Sequence, residues 1–307
     1  MKKAFLLIFS SCLFLYTQAQ LPKTEIYVFD LMKKQEGWKI SNPQKVALAE
    51  GYNNQPHFTP DGKFMLFVSS GKENGLTDIY RYDLEKKRIK RLTKTKLESE
   101  YSPQITPSRD KISCVRVESD TTTQAFYTYN LRGKSPRQLL PELETIGYYT
   151  WVSSNELLTF NVPEPFTFNH YYINSGQSDS LGESIGRCML NNKSRLYYVD
   201  KSDSLHWQIK VVNRRRWSSR KMEAPIEEKT ISSTIEGQED FAFLPDGSLL
   251  MGDGGVIFQK HKVLTNPNAQ WDAIFDLNQY GITEFYRIVV SRNYQKIAVV
   301  SIDSDDP

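Results

Sequence analysis

The stretch Gln55–Thr93, QPHFTPDGKFMLFVSSGKENGLTDIYRYDLEKKRIKRLT, constrains this chain more than any other. Thr59-Pro60-Asp61-Gly62 has the residues of a tight turn, since proline pre-sets one backbone angle and Asp and Gly suit the positions after it. Phe64 to Val68 then runs apolar without alternation, as a strand covered on both faces does. Gly71 to Gly75 is polar and turns, Ile79 to Leu84 is an aromatic-rich strand, and Lys86-Lys87 turns into a last short strand, Ile89 to Leu92. The unit is four short antiparallel strands joined by hairpins. A sheet with two apolar faces cannot bury both alone, so it needs copies of itself on either side.

The copies are there. Aligned on the residue before the turn, the anchors are Phe58, Ile105, Trp151, Met189, Phe243 and Val290, with spacings of 47, 46, 38, 54 and 47 residues. That range overlaps the period of propeller blades, roughly 40–50 residues. The C-terminal copy, Tyr286 to Ser291 and Ile297 to Val300, supplies two strands only. At the other end, Glu25 to Leu31 matches Asp78 to Leu84 at Ile, Tyr, Asp and Leu, a third strand with no first or second before it, and Gln44 to Leu48 follows as a fourth. The two half-copies complete one blade and leave no open sheet edge. The expected fold is all-β: a six-bladed β-propeller of four-stranded antiparallel blades, the last closed by N- and C-terminal strands, over residues 20–307.

Lys2-Lys3, the apolar run Ala4 to Leu15 and Thr17-Gln18-Ala19 read as a secretory signal peptide over residues 1–19. The run is too short to span a membrane. A lipoprotein signal using Cys12 is the rival reading, but apolar residues rather than a polar tether follow Cys12. Without the leader, 37 basic residues face 36 acidic ones, a balance that argues against a nucleic-acid partner held by bulk charge. Cys114 and Cys188 fall in different repeats and read as two small buried thiols rather than a disulfide.

The pattern P-x-F-T-P-D-G-K…L-F-V-S-S…D-I-Y-x-x-D-L…R-L-T resembles the WD40-like repeat of TolB-type β-propellers, closely over residues 55–93 and fairly over 102–140. The resemblance implies the blade and not a job, because this propeller type serves many functions. Only a few residues separate the leader from the first strand, so the N-terminal α/β domain of TolB is not expected here.

Catalytic signatures such as G-x-S-x-G, H-E-x-x-H or a Walker loop do not occur, and no cofactor is expected. Met251 to Gly255 reads as a hairpin turn. The histidines His57, His170, His206 and His261 share no metal-ligand spacing. Alternate positions of the first strands, those nearest a propeller axis, are polar: Gln55 and His57, Ser102 and Gln104, Tyr148, Asp240 and Arg287. The other parity, which includes Arg187, is mostly apolar. A polar set on the inner strands is what a ligand-binding tunnel mouth shows. Glu239-Asp240 and Glu227-Glu228 are adjacent acids expected to point to opposite faces of a strand. The basic runs Arg214 to Trp217 and Lys86 to Arg91 suit outer hairpins, either solvated or facing an anionic partner. Three Asp-Ser/Thr-apolar triplets, at Asp120, Asp179 and Asp203, are expected in loops.

The expected function is a non-enzymatic, periplasmic scaffold recognising a protein or a cell-envelope component through tunnel mouth and loops. The other classes are a lyase- or hydrolase-type propeller enzyme, which convergence of His57, Asp240 and Arg287 would favour, and an accessory subunit of an envelope complex.

Overall fold

Side chains of the second strands point alternately to two different neighbours, and that alternation builds the molecule. The computed structural model describes residues 21–48, 50–71, 75–192, 195–213, 228–266 and 268–302. The expected leader over residues 1–19 with Cys12, the run Arg214 to Trp217, and Glu227 lie outside them.

Blade 1 is β3 (Asn53–Phe58), β4 (Phe64–Ser69), β5 (Asp78–Asp83) and β6 (Arg88–Arg91). Blade 2 is β7 (Ser99–Ile105), β8 (Lys111–Val117), β9 (Gln124–Asn130) and β10 (Arg137–Leu139). Blade 3 is β11 (Ile146–Ser153), β12 (Glu156–Asn161), β13 (Thr167–Tyr172) and β14 (Ser178–Glu183). Blade 4 is β15 (Ile185–Asn192), β16 (Arg195–Asp200), β17 (Gln208–Asn213) and β18 (Lys229–Ser233). Blade 5 is β19 (Phe241–Phe243), β20 (Leu249–Asp253), β21 (Val256–Lys260) and β22 (Trp271–Asp276). Blade 6 joins β23 (Phe285–Val290) and β24 (Lys296–Ile302) to β1 (Thr24–Lys34) and β2 (Gly37–Val46), in the order β2-β1-β24-β23. All pairs within the six sheets are antiparallel, so the split blade and the blade count are as expected. Two details differ. The outer strand of blade 6 is longer than Gln44 to Leu48, because β2 starts at the Gly37 turn. Asp179-Ser180-Leu181 is not a loop but part of β14, paired to Asn169 and His170 of β13.

Each buried cluster spans one junction between blades. Met65 and Phe67 of β4 pack on Ile26, Val28, Ala298 and Val300 of blade 6. Leu66, between them on the chain, packs on Ile112, Cys114 and Tyr129 of blade 2. In β24, Ile297 and Val299 meet Leu250 and Ile257 of blade 5, while Ala298 and Val300 meet blade 1. This is why the second strands read apolar without alternation: both faces are cores. The repeat turn recurs with one geometry. Gly62 N–H donates to Thr59 O at 2.9 Å, and Arg109 to Thr106, Gly247 to Leu244 and Tyr294 to Ser291 do the same at 2.8–3.0 Å. The donor has positive φ in each, 69°, 62°, 86° and 56°. Cys114 and Cys188 are free thiols on β8 and β15, the first buried and the second half-buried. Among the described residues no helix is long and apolar enough to cross a membrane.

Candidate functional site

The first strands lie innermost. β3 lies against β7 and β23, β11 against β15, and β19 against β23. Most of these strands carry a bulge near the start: the register shifts between Asn54 and His57, Tyr101 and Gln104, Ile146 and Tyr148, Ile185 and Met189, and Phe285 and Arg287. Gln55 and Ser102 occupy equivalent bulge positions with φ of 54° and 51°. Bulges re-aim side chains, and these gather polar and aromatic groups from all six blades at the end where the chain enters each blade.

At the centre sits Arg287. Its Nη2 donates to Tyr148 Oη at 3.1 Å, and its guanidinium lies 5.4 Å from the Tyr148 ring and 5.6 Å from the Tyr286 ring. Its Nη1 is 3.6 Å from Asp240 Oδ2. Arg187 approaches the same carboxylate, Nε to Oδ1 at 3.2 Å, pairs with Glu239 and lies 5.6 Å from the Tyr286 ring. Lys201 Nζ reaches Glu239 Oε2 at 2.9 Å. Asn54 donates to Tyr286 Oη, and Tyr52 and Tyr101 stand edge-on at 6.3 Å. Three cations thus face two carboxylates, an excess of one positive charge.

Electrostatics sort the acids. Burial pushes the Asp240 carboxyl up, outweighing Arg187 and Arg287. Glu239 is desolvated too, but Arg187 and Lys201 hold it below its ordinary value. Burial raises the Tyr52 phenol, so it stays neutral beside the cation. Arg287, although desolvated, is kept charged with the Asp240 carboxylate beside it. Hydrogen-bonding capacity is left over at Arg287 Nε and Ser102 Oγ, which are buried without a hydrogen-bond partner among the described residues, whereas Arg187 Nε and Asp240 Oδ1 face each other as an ion pair. Buried polar groups are normally satisfied, so these two atoms stand out as candidates for contact with a ligand or with water.

Of the sequence candidates, Tyr148, Asp240 and Arg287 come together. Gln55 and Gln104 do not join them, because they join blades instead: Gln55 Oε1 accepts from Ser102 N–H at 2.6 Å, and Gln104 Nε2 donates to Tyr149 O at 2.9 Å. Ser102 stands at the edge of the group, its main chain taken by Gln55 and Tyr149. His57 sits further along β3, paired to Leu66, and contacts neither Asp240 nor Arg287. The expectation that Glu239 and Asp240 point apart is overturned: they lie in the turn segment before β19, not on it, and both reach Arg187. Arg187, placed by simple alternation on the apolar side, belongs to the mouth because the shift between Ile185 and Met189 turns it inward. Gly186 leaves room for this, since a Cβ there would stand 2.6 Å from Glu239 Oε2. Tyr52, Tyr101 and Tyr286 are not legible as site residues from alternation; their only signal is the aromatic at each of these blade entrances.

No protein-family model matches the chain, and no curated protein matches it by sequence. Solved structures do match in shape. A protein assigned as TolB in Agrobacterium tumefaciens superposes with a TM-score of 0.63 at 13% identity, covering 92% of this chain and 99% of that one. The fold is that of a TolB-type six-bladed β-propeller. TolB from Acinetobacter baumannii gives 0.55 at 12% identity, covering 91% of this chain and 64% of its own. A chain of a nidogen/laminin complex gives 0.57 at 10% identity over 91% and 98%. Identities this low carry the fold alone, so the chemistry of the axial mouth rests on the side chains of this TolB-type propeller itself.

Proposed function

We propose that this chain is an exported, periplasmic binding scaffold whose axial mouth recognises a protein or a cell-envelope component carrying an anionic group. One observation supports the reading above the rest: all six blades deliver polar or aromatic side chains to one end, around a desolvated Arg287 with unfilled hydrogen-bonding positions. Tyr and Arg are the residues that dominate binding hot spots, and the one-charge excess favours an anion. The near-neutral whole fits a local rather than a bulk electrostatic attraction and gives no footing for nucleic acid. The similar propeller in the nidogen/laminin complex is an instance of this fold within a protein complex.

The test is affinity capture from envelope extract by the chain and by its Arg287→Ala/Asp240→Ala variant, with captured partners quantified by mass spectrometry. Capture is expected to fall about tenfold or more while the circular-dichroism spectrum is kept. Tyr148→Ala, which removes no buried charge, is the second variant and is expected to weaken capture of the same partner. Unchanged capture by both folded variants would sink the reading.

A further inference from the structure

A second concave feature lies away from the axis, at the junction of blades 1 and 2. It is a cleft of about 620 Å³ whose charged lining is wholly basic: Lys90, Arg91, Lys94, Arg116, Arg132 and Lys134. The two groups come from segments some forty residues apart in sequence. They meet because the β9–β10 hairpin seats on the end of β6: Gly133, at φ 73°, comes so close that a Cβ would stand 2.4 Å from Leu92 O. Leu92, Tyr129 and Pro136 give the cleft an apolar wall.

Two of the cations are fixed from behind. Arg91 pairs with the buried Asp78 and donates from Nε to Thr93 O at 3.1 Å. Arg116 holds Glu118 with two hydrogen bonds of 2.8 and 3.0 Å and lies 3.6 Å from the Tyr127 ring. The other four, Lys90, Lys94, Arg132 and Lys134, are exposed, and none is paired with a carboxylate among the described residues. Like charges held round one concavity repel, and an anion between them relieves that cost. Four unpaired cations in so small a volume call for compact charge. A phosphate group carries about −1.5 to −2, so two of them match the four cations, whereas carboxylates would have to be four. Arg132 suits phosphate oxygens, which its planar fork meets in pairs.

We propose that this inter-blade cleft is a binding site, separate from the axial mouth, for a ligand presenting two or more phosphate groups. The phosphates sit between the Lys90/Lys94 and Arg132/Lys134 sides, and any less polar part of the ligand lies on Leu92, Tyr129 and Pro136. Such phosphates occur in soluble metabolites and in lipid headgroups, and the test separates the two.

The full chain is titrated with pyrophosphate by calorimetry at two salt concentrations, with citrate as a polycarboxylate control. Saturable, salt-weakened binding is expected, with citrate weaker. Lys90→Gln/Lys94→Gln and Arg132→Gln/Lys134→Gln, at exposed positions that the fold does not depend on, are each expected to weaken pyrophosphate about tenfold. Lys229→Gln, at an exposed position on β18 outside both sites, is expected to keep the wild-type affinity. Sedimentation with phosphatidylcholine vesicles, with and without phosphatidic acid, then assigns the source. Co-sedimentation that needs phosphatidic acid and is lost in both cleft variants marks a headgroup, and pyrophosphate binding without it marks a soluble ligand. Absence of saturable pyrophosphate binding, wild-type affinity in both cleft variants, citrate binding as tight as pyrophosphate, or an equal loss of binding in Lys229→Gln would each overturn the proposal.

Discussion

His57 is half-buried on β3, and desolvation there pushes its imidazole down to about 4 from its ordinary 6.5. The unfolded chain takes up this proton near the ordinary value, while the folded chain does so only near 4. Between the two the unfolded state binds the extra proton, so this residue's contribution to stability is complete above about pH 6.5 and is lost as pH falls toward 4. His57→Gln removes the dependence. The melting temperature of the wild type minus that of the variant is expected to be largest near about pH 7 and to shrink on acidification. A difference that stays constant with pH would show that His57 is not held neutral by the fold. At the same scale, Arg109 and Tyr294 take the left-handed backbone that Gly62 and Gly247 take in sister turns. The turn survives without its glycine because the Thr106 N–H···Lys111 O and Ser291 N–H···Lys296 O bonds hold it.

At the scale of elements, β1 and β2 are where the ring closes. Ile26, Val28, Phe29, Leu31 and Val46 on these strands are all 2% exposed or less and fill the junctions on both sides of blade 6. At about 1.5–3 kcal/mol for each buried aliphatic or aromatic side chain, their loss is comparable to the whole stability of a domain, about 5–15 kcal/mol. Deleting Glu25 to Leu48 is therefore expected to abolish the cooperative melt rather than free a loop, and a truncated chain melting like the full one would refute closure. These elements are legible in the amino-acid sequence because the second strands bury both faces and the half-copy at Glu25 to Leu31 repeats the Ile-Tyr-x-x-Asp-Leu of Ile79 to Leu84. The site is legible only in part. Alternation places Tyr148, Asp240 and Arg287 inward, but a bulge adds a residue without a sequence mark, so alternation puts Arg187 on the wrong face and does not show that Gln55 reaches Ser102. Glu239 and Asp240 mislead for a related reason: β19 is only three residues long, and the acids fall before it. The basic cleft is half visible in Lys86 to Arg91, and its other wall depends on how the Gly133 hairpin seats on Leu92.

At the scale of the whole molecule, a closed ring does for the axial group what no single blade does. It brings Tyr52, Tyr101, Tyr148, Arg187, Asp240 and Arg287, one from each blade or the segment leading into it, to one end. The cost of desolvating Arg287 is borne by packing in the six junctions, and its orientation is set by rigid strands rather than by loops. The proposed cleft lies outside this group, between only two blades, and shares no side chain with it. The most direct measurement is photo-crosslinking in envelope extract from a benzoylphenylalanine placed at Tyr148, compared with one at Gln177 on the exposed outer edge of blade 3. The expected result is a discrete adduct from position 148, absent from position 177 and lost when Arg287 is also replaced by Ala. Adducts no stronger from 148 than from 177, or unaffected by that replacement, would contradict an axial binding site.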